Sequence, residues 1–165
     1  MKGRADRGAP PFQRLIDEHA TVVAAFLRGM LRSADAEDAL QETFLAALRA
    51  YDRFDGRNPR AWLLTIARRK AIDSARSEGR RPAALPEPDE VAGPDAGDDD
   101  REVWVAVANL PPKQREAVVL RFAADLAYRE IGIAMDTSEA AARRNVHEAI
   151  SKLRKSNEIE EVVSR

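Results

Sequence analysis

Tyr128-Arg129-Glu130-Ile131-Gly132-Ile133-Ala134-Met135-Asp136-Thr137-Ser138 places apolar Ile131 and Ala134 at helical spacing and then three small polar residues in a row. The run predicts a short helix from about Tyr128 to Met135 that stops at a tight turn, because Asp, Thr and Ser side chains compete for backbone bonds. Beyond the turn, Ala142, Val146, Ala149, Ile150 and Leu153 return at steps of one helical face. They predict a longer helix reaching about Lys155. Its other face carries Arg143, Arg144, Asn145 and His147, with Lys152, Arg154 and Lys155 near the end. A short helix, a polar turn and a longer basic helix form the helix-turn-helix layout.

Working toward the N-terminus, Pro112 opens a predicted helix with Ala117, Val118, Leu120 and Phe122 inward. Pro111-Pro112 also ends a predicted helix over Arg101 to Asn109, whose apolar positions are Val103, Trp104, Val107 and Ala108. Pro82 to Asp100 holds four prolines, two glycines and seven acidic residues with no basic one. Such a stretch buries too little apolar surface to offset its ordering entropy and predicts a flexible acidic linker. Before it lie three predicted helices. One follows Pro11, from Phe12 to Leu31; a second begins at Ser33 or Asp35 with the stripe Leu40, Phe44, Ala47, Leu48, Tyr51. The third starts at Pro59 under an Asn58 cap, places Trp62, Leu63, Ile66 and Ala67 inward, and fades near Ser77 to Gly79. The fold class that follows is all-α: two small helical domains, residues 1–81 and 101–165, joined by the linker at 82–100.

Composition agrees with helices and excludes several chemistries. The 165 residues are 44% apolar, 33% charged and only 5% aromatic, with no cysteine, so disulfides and thiolate metal sites are ruled out. No apolar run approaches the roughly 20 residues of a membrane helix, and a cytoplasmic protein without membrane insertion is expected. The net charge of −1 conceals a division. Taking the seven linker acids from 28 leaves 21 acidic residues against 27 basic ones, and eight of the basic residues fall between Arg57 and Arg81. That layout points to a polyanion-binding surface followed by a segment that repels the same polyanion.

Three blocks resemble the sigma-70 family of bacterial transcription initiation factors. Asp35-Ala36-Glu37-Asp38-Ala39-Leu40-Gln41-Glu42-Thr43-Phe44 is similar to the polymerase-binding helix of region 2. Trp62-Leu63-Leu64-Thr65-Ile66-Ala67-Arg68, followed by Ala71-Ile72-Asp73, is similar to the helix that engages the melted minus-ten element. Leu110-Pro111-Pro112-Lys113-Gln114-Arg115-Glu116-Ala117 and Tyr128-Arg129-Glu130-Ile131 resemble region 4. The short linker leaves no space for a middle domain, so the extracytoplasmic-function (ECF) type is the one resembled. The resemblance implies a non-enzymatic factor without cofactor that brings core RNA polymerase to promoters. It also implies contacts to the clamp helices of the largest subunit and to the flap, and it allows an anti-sigma factor as a further partner.

Read residue by residue, Asp38, Gln41 and Glu42 share one helix face and are the expected polymerase contacts. Phe54, Arg57, Asn58, Arg60, Arg68 and Arg69 combine cations for phosphates with an aromatic and an amide for unstacked bases, as single-stranded DNA requires. By resemblance they meet the minus-ten strand, with Phe54 at the edge of a pocket for a flipped base. Trp62 is read as core, and Asp73 as a partner for an arginine of its own domain. Arg143, Arg144, Asn145 and His147 are the expected minus-thirty-five contacts, since Arg pairs with guanine and Asn with adenine in the major groove. Three departures from the family stand out: Arg69 where many members have Asn, Ala140-Ala141-Ala142 where Gly-Thr-Val is usual, and Asn145 and Glu148 where arginine is usual. Glu148 is expected to repel phosphate.

Other readings fit parts of the sequence. A helix-turn-helix regulator acting without stable polymerase binding explains the second domain only. An adaptor with the same fold accommodates the departures in the last helix. An enzyme has thin support: His19 and His147 lie far apart, and Asp17-Glu18-His19 fits a helical surface triplet better than a metal site.

Overall fold

The computed structural model describes residues 11–77 and 101–163, with side chains in the second stretch for residues 102–157. The predicted linker falls outside the described residues. Seven α-helices and one 3-10 turn make up the described fold: α1 (Phe12–Met30), α2 (Ser33–Ala50), the 3-10 turn (Tyr51–Arg53), α3 (Pro59–Ser77), α4 (Arg101–Ala108), α5 (Pro112–Phe122), α6 (Tyr128–Ala134) and α7 (Glu139–Val163). The all-α expectation of two small helical domains is met.

In the first domain, α1, α2 and α3 pack on one another as a three-helix bundle. α1 buries Leu15, Val23, Phe26, Leu27 and Met30, residues three, four, seven and eight apart that fall on one face. α2 packs Leu40, Phe44 and Ala47 of its expected stripe on the core, with Tyr51 just past its end, and departs from it at Leu48. Its buried line is Ala36, Ala39, Thr43 and Ala47, whereas Leu48 is 54% exposed. Small residues let α2 approach its neighbours closely, and Thr43 satisfies its buried hydroxyl by donating to the Ala39 carbonyl at 2.6 Å. The N-cap position is held by Arg32, not by Ser33 or Asp35, and Arg32 pairs with Asp35 at 3.0 Å. Asn58 does cap α3, accepting the Ala61 N–H at 3.2 Å.

In the second domain, α5 and α6 both pack on α7. The turn between α6 and α7 is tight enough that a Cβ on Gly132 would lie 2.9 Å from the Thr137 carbonyl oxygen. Glycine is needed there for close approach, and Asp136 takes a positive φ of 53° to complete the turn. Ser138 caps α7 by accepting the Ala141 N–H at 3.0 Å. Two expected core positions are exposed: Val103 at 49% and Phe122 at 65%.

The two domains are packed together. α5 buries every residue from Gln114 to Leu120, more than its own domain could cover, because α1 lies across it. A Cβ on Gly29 would meet Val119 Cγ1 at 2.8 Å, so the α1 backbone runs directly against α5. Arg115, fully buried, donates from Nε and Nη2 to the Gly29 carbonyl at 3.0 and 2.8 Å. That carbonyl belongs to the last turn of α1, where oxygens lack helical partners and the dipole favours a cation. Burial lowers the Arg115 pKa to about 10, which leaves it charged at neutral pH. Beside it, buried Glu116 pairs with Arg68 of α3. Burial raises the Glu116 pKa even though Arg68 and Lys113 pull it down.

Candidate nucleic-acid interface

The loop from Phe54 to Asn58 is built by its own short-range bonds. The Asp55 carboxylate accepts the Arg57 N–H at 2.8 Å, and Gly56 and Asn58 take positive φ values of 82° and 43°. Asx turns and left-handed residues of this kind fix a loop without a partner element. Phe54 is buried and stacks on Trp62 with centroids 4.3 Å apart. The pair forms a wall of the bundle, and Trp62, half-buried, bridges core and surface.

The six residues expected at single-stranded DNA occupy three environments. Arg57, Asn58 and Arg69 are exposed. Phe54 is buried against Trp62. Arg60 and Arg68 face the second domain: Arg60 reaches the Ala124 carbonyl at 3.5 Å, and Arg68 is held by Glu116. A cleft of about 720 Å³ separates the loop from α6, with Phe54, Asn58 and Trp62 on one side and Arg129, Glu130 and Ile133 on the other. Ile133, 59% exposed, offers an apolar surface to this cleft. Asp73 is exposed and forms no ion pair among the described residues, contrary to its expected role.

On α2, Asp38, Gln41 and Glu42 are all exposed. Leu45 and Leu48, 53% and 54% exposed, continue the same face toward the C-terminus. The sequence reading missed this apolar extension by assigning Leu48 to the core. The signal that could have found it is the alternative line of small residues at Ala36, Ala39, Thr43 and Ala47.

On α7, Arg143, Arg144 and His147 are exposed and Asn145 is half-buried. With Glu139, Ala140 and Glu148 the three exposed residues line one surface concavity. Arg143 pairs with Glu139 at 3.2 Å, and its guanidinium lies over the Tyr128 ring, 4.8 Å from the centroid. Glu148 accepts from Gln114 Nε2 at 3.0 Å, a bond that draws its carboxylate back toward α5.

Residues 15–81 match the family model described as Sigma-70 region 2, and residues 100–153 match that of Sigma-70, region 4. Among known proteins, the RNA polymerase sigma factor CarQ of Myxococcus xanthus is 36% identical over 162 residues, covering 93% of both chains. The ECF RNA polymerase sigma factor SigX of Bacillus subtilis is 30% identical over 167 residues, covering 90% of this chain and 84% of its own. Among solved structures, CnrH in complex with the cytosolic domain of CnrY superposes with a TM-score of 0.70 at 26% identity, covering 90% of this chain and 88% of that one. The sigma factor RpoE of Bartonella quintana, solved with the anti-sigma factor NepR, shares the fold with a TM-score of 0.73 at 22% identity, over 87% of this chain and 94% of that one.

Proposed function

Because the chain belongs to the ECF type of the sigma-70 family, we propose that residues 1–81 bind core polymerase and the minus-ten strand while residues 101–165 bind the minus-thirty-five duplex. A member of this family is a transcription initiation factor, which binds core RNA polymerase and promoter DNA and directs one to the other. In this division of labour the α2 face of Asp38, Gln41 and Glu42 meets the polymerase. Arg57, Asn58 and Arg69 are the first contacts for the single strand. Arg60 and Arg68 join them by exchanging Ala124 and Glu116 for phosphates, and Phe54 supports the loop from beneath through Trp62. Arg143, Arg144, Asn145 and His147 read or anchor the upstream duplex. The chain acts by binding alone, without chemistry of its own, in the cytoplasm where core polymerase works. The CnrH structure, a complex with the cytosolic domain of CnrY, supports a second protein partner of the anti-sigma kind.

One observation carries the polymerase assignment. Asp38, Gln41, Glu42, Leu45 and Leu48 form a continuous exposed strip that mixes carboxylates with leucines, on a helix whose opposite face is buried. Exposed leucines beside charges are the composition of a protein-binding surface. Charge reversal at Asp38 and Glu42 is expected to weaken binding to core polymerase while the helical circular dichroism stays unchanged. Unimpaired binding by the folded double variant would remove α2 from the interface.

A further inference from the structure

Tyr128, at the start of α6, is the meeting point of three helices. Arg121 of α5 lies over its ring at 4.9 Å and Arg143 of α7 at 4.8 Å, while the His147 ring packs edge-on at 6.3 Å and 74°. The two arginines are not equivalent. Arg121 is tied to the protein, donating to the Leu126 carbonyl at 2.9 Å, and so fixes the ring from the α5 side. The Arg143 side chain is 54% exposed and, among the described residues, its one ion pair is with Glu139, itself on the surface. Arg144 and Asn145 make no ring contact among the described residues.

We infer that Tyr128 is a specificity-determining positioning residue: its ring holds Arg143, and with it His147, in the orientation from which α7 reads a base pair. The inference rests on the reading of Arg143 as an upstream-duplex contact. An arginine pairs with guanine through a planar fork, so the discrimination it gives depends on how far its plane and direction are fixed before binding. A free exposed arginine loses rotamer entropy on docking. One already stacked on an aromatic ring and braced by a carboxylate has given up most of that freedom. The hydroxyl plays no part; the ring face does.

The test uses holoenzyme assembled from core polymerase and the full chain, with a duplex library randomised across the upstream element. Tyr128→Leu keeps apolar bulk but removes the ring, Tyr128→Phe and Tyr128→Trp keep a ring, and Arg143→Ala removes the reader. Tyr128→Leu is expected to relax preference roughly 3–10-fold at the same base pair that Arg143→Ala relaxes more strongly. The position read by Arg144 should be unchanged, as should the salt dependence, since no phosphate contact is lost. Both ring-keeping variants should restore the preference. Full preference in Tyr128→Leu, equal loss in Tyr128→Phe, or tighter binding without the ring would each overturn the positioning role. If Arg143→Ala changed no position, the reading of Arg143 itself would fall.

Discussion

His19 lies half-buried on α1, and its Nδ1 has no hydrogen-bond partner among the described residues. Burial first, and the Arg60 charge second, push its pKa below the ordinary 6.5, while Glu18 pulls it up. The folded chain therefore favours the neutral imidazole, and the unfolded chain binds the proton more readily. Stability from this residue is complete above 6.5 and is lost as pH falls from there through the depressed folded value. Thermal melts between roughly pH 7.5 and 5 should show His19→Gln with a flatter pH dependence than the parent, provided the histidine is the source. An identical slope in both proteins would place the sensitivity elsewhere. Arg68 shows what a single residue's sequence context withholds. Its charge and its place on α3 were legible, but its partner Glu116 lies 48 positions away in another domain, where no periodicity links the two.

Helices were the most legible level, and the misjudged faces have a common cause. Apolar spacing located every described helix to within a few residues, except that α7 runs on to Val163. Proline starts and the Asn58 cap marked boundaries correctly because they act through local backbone geometry. On α2 the rule that large apolar residues face inward held for Leu40, Phe44 and Tyr51 and failed at Leu48, since alanines and Thr43 supply the closest contact there and Leu45 and Leu48 face out. If that outward line is kept for a partner, Leu48→Ser should change unfolding free energy by no more than about 0.5 kcal/mol, as surface substitutions do. Its affinity for core polymerase should nonetheless fall, measured by fluorescence anisotropy. A large loss of stability, or no loss of affinity, would return Leu48 to an ordinary structural role. On α5 the polar Gln114, Arg115 and Glu116 are buried without any local periodicity to mark it: Arg115 and Glu116 meet Gly29 and Arg68 of the other domain, and Gln114 meets Glu148 of α7.

For the molecule as a whole, the contact between domains decides what is accessible. Gly29, Arg115, Arg68 and Glu116 join α1 and α3 to α5, and they engage one of the arginines expected at the single strand. A compact chain of this length has a radius of gyration of about 15 Å. Glu116→Lys places a cation against Arg68 and should raise that radius measurably in small-angle scattering, with helix content retained. A radius unchanged from the parent would mean that apolar contacts such as Gly29 on Val119 suffice to hold the domains together.

The Arg115 bond to the Gly29 carbonyl also has a consequence in time. Its two ends are 86 residues apart. At a synthesis rate of about 5–20 residues per second, the last turn of α1 leaves the ribosome roughly 4–17 s before the arginine that caps it. For the last 38 of those residues, roughly 2–8 s, the completed first domain carries its Phe54 to Asn58 loop and Arg68 with no second domain opposite them. A polymerase that met the chain during its own translation would find the first domain already open.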